Sequence, residues 1–118
     1  MITAFALAAA LVSGPTAPPP CADLALRPTL RCAVARWPVP GGFKKALAVA
    51  TCESGLDPRA EYRGHLGLFQ QRDVYWPGRW RKWGAPLGLA RSPYNYLTNI
   101  VVSIRQAHEA GWGPWSCA

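Results

Sequence analysis

Four cysteines, Cys21, Cys32, Cys52 and Cys117, constrain this 118-residue chain more than any other feature. An even number in so short a chain suggests two disulfides rather than free thiols. Three pairings are open. The favoured one joins Cys21 to Cys32, closing a local loop, and Cys52 to Cys117, tying the middle of the chain to its end. Chain entropy makes that longer loop worth roughly 4 kcal/mol. A metal site combining cysteine with His65 or His108 competes, but no CxxC or HxxxH spacing supports it. No metal or organic cofactor is implied.

Disulfides call for an oxidising compartment, and the start of the chain fits one. Residues 4–12 are an unbroken apolar run of nine. A membrane-spanning helix needs about 20, whereas the hydrophobic region of a signal peptide is this short. Ser13, Gly14 and Ala17 are small enough for a cleavage site, although Met1, Ile2 and Thr3 carry no positive charge. Pro18, Pro19 and Pro20 then make a stiff linker. The division expected is an export segment and linker at residues 1–20 and one folded domain at residues 21–118. The protein is then secreted or held in the cell envelope, with no stable membrane span. The folded length suits one domain; two halves would each be too small for a useful core.

Half the residues are apolar and 16% are charged, which excludes a charge-driven disordered chain. Twelve prolines and eleven glycines argue against a simple helical bundle. The net charge of +7 points to an anionic partner: nucleic acid, acidic lipid or bacterial wall polymer.

Along the chain, residues 23–36 read as a helix interrupted or begun near Pro28. Prolines and glycines at residues 38–42 break it. Residues 43–54 form the next helix, with Gly55 at its C′ position and Pro58 as a firm stop. Residues 61–71 are glycine-punctuated, giving a loop or small hairpin. A short helix opens on Pro77. The longest begins with Ser92 as N-cap and Pro93 as first residue, shows an apolar face at Leu97, Ile100, Val101, Ile104 and Ala107, and ends at Gly111. Residues 112–117 are expected to be extended. The class expected is α+β, predominantly α-helical, with a small β element.

Glu53 is the residue that looks chemical. Ala46, Val49 and Ala50 share its helix face, so a carboxylate ends an apolar stripe beside Cys52. Apolar neighbours and the negative end of the helix dipole both favour a protonated acid there. A glycosidic leaving group needs such an acid.

Glu53-Ser54-Gly55-Leu56-Asp57-Pro58-Arg59-Ala60 is followed by Gly67-Leu68-Phe69-Gln70 and then by Trp112-Gly113-Pro114-Trp115-Ser116-Cys117. This ordered set resembles the lysozyme-like soluble lytic transglycosylase family, which cleaves bacterial peptidoglycan. The resemblance covers about residues 44–117. Tyr75-Trp76-Pro77 and Arg79 resemble its smaller secreted, cysteine-containing branch. It implies a lysozyme-like fold with Glu53 as catalytic acid and Ser54 beside it. It also implies that Gly67, Leu68, Phe69 and Gln70 line the cleft floor, with Gln70 hydrogen-bonding the sugar. A late asparagine should face the cleft. Spacing to Gly111-Trp112 favours Asn99, whereas a tyrosine-asparagine pattern favours Asn95 after Tyr94. Tyr75 and one or two neighbouring aromatic residues are candidates for stacking on sugar. Asp57 stands where the family often has asparagine, so no role carries over to it.

Glycosidases ordinarily use two carboxylates, whereas this family manages with one. The resemblance implies that Glu53 protonates the oxygen bridging MurNAc and GlcNAc in the β-1,4 bond. It then takes the proton from the sugar's own 6-hydroxyl, leaving a 1,6-anhydro end. As second acids, Asp57 is expected to close a turn, Asp73 to pair with Arg72 or Arg79, Glu61 to be solvated, and Glu109 to lie on a helix surface. The alternatives are a lysozyme-type hydrolase and a wall-binding module that no longer cuts. A nucleic-acid binder is disfavoured by the export segment and disulfides. The partners implied are peptidoglycan strands and anionic wall polymers, met by a monomer.

Overall fold

The computed structural model describes residues 17–118; the apolar run at residues 4–12 and its cleavage site lie outside them. Among the described residues four α-helices and a small sheet follow in order: α1 Leu26–Arg36, α2 Gly42–Ser54, β1 Glu61–Tyr62, β2 His65–Leu66, β3 Gln71–Arg72, α3 Trp76–Arg79 and α4 Tyr96–Ala110. A π-helical turn at Trp80–Gly84 and a 3-10 turn at Ala85–Leu87 extend α3. The class is α+β, with about half of the described residues helical.

Pro28 is the third residue of α1, where its missing N–H breaks no helix bond. The first such bond comes next, from Thr29 N to Ala25 O at 2.9 Å. Helix α2 buries Ala46, Val49 and Ala50, and closes on Gly55, whose N–H reaches Thr51 O at 2.8 Å.

The sheet is antiparallel, in the order β1-β2-β3, with Tyr62 opposite His65 and Leu66 opposite Gln71. Arg63 and Gly64, with φ of 49° and 81°, make the two-residue turn between β1 and β2. Residues 67–70 join β2 to β3. Gly67 (φ +76°) admits no side chain: a Cβ would stand 2.3 Å from Pro93 O and 2.6 Å from Asn99 Nδ2.

The start of α4 corrects the sequence reading. Asn95, not Ser92, is the N-cap, its Oδ1 accepting from Thr98 N at 3.1 Å. Ser92 and Pro93 instead open a β-turn closed by Asn95 N to Ser92 O at 3.2 Å. Helix α4 is buried nearly all round. Ile100, Ile104 and Ala107 meet Leu30 and Ala33 of α1, the buried face of α2, Leu68, Phe69, Trp112 and Trp115 in the main core. Val102 packs with Trp76 and Trp83 in a second cluster. Asn99, Ser103 and Gln106 form a buried polar stripe at i, i+4 and i+7.

The disulfides join Cys21 to Cys32 and Cys52 to Cys117, the favoured pairing. They fit a secreted or extracytoplasmic protein. Among the described residues no helix is long and apolar enough to cross a membrane. Residues 112–118 are not extended but wound into turns, Trp115 N to Trp112 O at 3.0 Å and Ala118 N to Trp115 O at 3.2 Å. Indole hydrogen bonds impose that shape: Trp112 Nε1 donates to Pro40 O at 2.8 Å and Trp115 Nε1 to Phe69 O at 2.9 Å.

Candidate active site

The end of α2, the sheet, α3 and the tail enclose a cleft of about 270 Å³. Glu53 lines it, half-buried on the face that Ala46, Val49 and Ala50 bury higher up the helix. The tail fixes one carboxylate oxygen, because Cys117 N donates to Glu53 Oε2 at 3.2 Å. Among the described residues Oε1 takes no protein hydrogen bond. The disulfide from Cys52, next to Glu53, to Cys117 pins both partners of this contact.

Gln70 and Tyr75 line the same cleft. Gln70 Nε2 donates to Gly67 O at 3.0 Å and Ala60 O at 3.3 Å, which leaves its amide oxygen for a ligand. Tyr75 is the one of the flanking aromatic candidates that reaches the cleft. Trp76 and Trp83 are buried, and the Tyr96 hydroxyl donates to Leu24 O.

The other candidates lie outside the cleft. Ser54 supports the helix end: its hydroxyl donates to Ala50 O at 3.2 Å and accepts from Asp57 N at 3.2 Å. Gly67 packs against α4, and Leu68 and Phe69 are fully buried. The segment expected to form a cleft floor therefore contributes only its last residue, since two large apolar side chains gain more from the core than from a wet groove. The Phe69 ring lies 6.2 Å from Trp112, stacked, and 6.3 Å from Trp115, edge-on. Asn95 is occupied as the cap of α4, and Asn99 is fully buried beneath the segment.

Among the described residues Glu53 is the only carboxylate lining the cleft. Asp57 closes a turn by accepting from Arg59 N at 2.9 Å. Asp73 pairs with Arg72 at 3.5 Å and accepts from Val74 N at 2.7 Å. Glu61 accepts from Gly64 N at 3.0 Å, and Glu109 accepts from the Trp83 indole at 2.8 Å.

Two residues that the sequence reading gave no part in the site also line the cleft. They are Gln71, which is 1% exposed, and Arg79. Gln71 Nε2 donates to Ser103 Oγ at 2.9 Å and Gln106 Oε1 at 3.0 Å, and Gln71 Oε1 accepts from Arg79 Nη1 at 2.7 Å. The Arg79 guanidinium lies 4.9 Å from the Tyr75 ring centroid, a cation–π contact between residues four apart. Partial burial pulls the Arg79 pKa below its ordinary value, against a smaller electrostatic effect of the neighbouring Tyr75. The polar spacing Asn99, Ser103, Gln106 was the available signal, since a buried polar stripe needs a partner.

Comparison with family models, curated proteins and solved structures found no match. What the cleft can do follows from its side chains. One carboxylate can give and take a proton, while an amide oxygen, an imidazole (His65) and an exposed phenol can meet a hydroxyl-rich ligand.

Proposed function

We propose that this protein is a lytic transglycosylase of lysozyme-like fold that cleaves the MurNAc–GlcNAc β-1,4 bond of peptidoglycan, with Glu53 as its only acid and base. The observation carrying this reading is a cleft lined by a single carboxylate, anchored on one oxygen, with Gln70 of the Gly-Leu-Phe-Gln segment beside it. Hydrolysis with two carboxylates requires a second acid about 5 to 9.5 Å away. The acids that follow it in sequence, Asp57, Glu61 and Asp73, are each engaged with turns.

In the first step Glu53 gives its proton to the bridging oxygen and the C1–O bond breaks, releasing the GlcNAc end. The Glu53 carboxylate then removes the proton of the MurNAc 6-hydroxyl, whose oxygen closes onto C1. The 1,6-anhydro product forms without consuming water, and Glu53 ends protonated as it began. Gln70 and Tyr75 bind the sugars on either side of the acid, and the protein works outside the cytoplasm as a monomer.

The test is mass spectrometry of the products from purified peptidoglycan, wild type beside Glu53→Gln. Products about 18 mass units lighter than hydrolytic ones, absent with the variant, are expected; one lost water distinguishes cyclisation from hydrolysis. Hydrated reducing ends would make the protein a lysozyme-type hydrolase. Wall binding without soluble products would make it a binding module.

A further inference from the structure

Arg79 is built into the cleft in a way that sugar hydroxyls alone do not require. Its Nη1 is held by the oxygen of Gln71, whose amide nitrogen is spent on Ser103 and Gln106 of α4. The Tyr75 ring backs the guanidinium. An arginine carries five N–H donors in a planar fork, and Gln71 takes one. Among the described residues Arg79 has no carboxylate within 4.0 Å, whereas Arg72, the other cleft arginine, is paired with Asp73. Partial burial also costs the charged form, a cost that an anion in the cleft would offset. A held, unpaired, half-desolvated guanidinium suits bidentate capture of a carboxylate.

We propose that Arg79 is a specificity residue that captures a carboxylate carried by the glycan's substituents, so that the cleft selects carboxylate-bearing strands over neutral ones. Gln71 is its positioning residue. The inference rests on the peptidoglycan reading, and binding tests the two separately.

The probe is a soluble peptidoglycan tetrasaccharide with peptide stems, its carboxylates either free or converted to methylamides. Calorimetry in the Glu53→Gln background keeps the ligand uncut, and about 0.15 M salt screens the general basic surface. The free-carboxylate form is expected to bind about tenfold tighter, the gain of a charge-assisted pair. Adding Arg79→Gln should bring the ratio to about one, and Arg79→Lys should give an intermediate ratio. Arg81→Gln, which removes the same charge from an exposed position, should leave it unchanged. Equal binding of both ligands with Arg79 intact overturns the proposal, whether or not the Arg79 variants fold. So does a ratio that survives Arg79→Gln, or one that Arg81→Gln abolishes equally. Binding of neither ligand removes the peptidoglycan reading itself, and this inference with it.

Discussion

Asn99 uses every hydrogen-bonding position its side chain has. Oδ1 accepts from Phe69 N at 2.9 Å and Ser103 Oγ at 3.4 Å, while Nδ2 donates to Pro93 O at 2.9 Å and Leu66 O at 3.2 Å. Nothing is left for a sugar, so its work is to latch the β2–β3 connection onto α4. Asn99→Ala should therefore cost about 2–4 kcal/mol in denaturant unfolding, because it strands a buried N–H and two carbonyls. Lost turnover at unchanged stability would instead return Asn99 to the cleft. The importance of an asparagine here was legible in sequence, but its direction was not. Asn95 caps α4 and Asn99 lies one turn into it, and which of them is buried depends on the segment packed against α4.

At the scale of elements, the π-helical turn is moored to the end of α4. The Trp83 indole donates to Glu109 at 2.8 Å, and Lys82 lies 3.3 Å from the same carboxylate. The Trp83 hydrogen bond, the largest effect, holds the Glu109 pKa below its ordinary 4.5; desolvation opposes it next, and Lys82 and Arg105 add smaller lowering effects. A carboxyl depressed by folding adds stability that is present above 4.5 and is lost as pH falls through the folded value. Thermal unfolding from pH 6 to about 3 should thus show a steeper acid loss in wild type than in Glu109→Gln. Equal slopes would mean that the mooring contributes nothing. The helices themselves were readable from local signals: the apolar spacing in α2, Gly55 after it and Gly111 after α4. The start of α4 was not, because Ser92-Pro93 suits a turn as well as a helix entry. The cap at Asn95, three residues before Thr98, decided between them.

Across the whole molecule, the disulfides do unequal work. The Cys52–Cys117 loop spans 65 residues and the Cys21–Cys32 loop 11, worth about 4 and 3 kcal/mol on chain entropy. Only the longer one holds the cleft, because Pro114, Trp115 and Ser116 form part of its wall and Cys117 N binds Glu53. Replacing both cysteines of either pair by serine should lower the melting temperature. Below both transitions, however, the proposed peptidoglycan cleavage requires the Cys52/Cys117 variant to lose most of its turnover and the Cys21/Cys32 variant to keep it. Parallel loss in both would show that the bond acts on stability alone.

Periodicity, helix stops and cysteine number acted through neighbours a few residues apart, and they determined the α+β class, α2 with Glu53 at its end, and a loop or small hairpin within residues 61–71. The tertiary structure alone decided which side of the Gly67, Leu68, Phe69 and Gln70 segment faces the cleft and which acid stands without a second carboxylate. It alone also brought Arg79 onto Gln71. Those outcomes depend on contacts such as Gln71 to Gln106, 35 residues apart. A buried polar stripe on one helix gains its free energy only when a distant segment arrives to satisfy it.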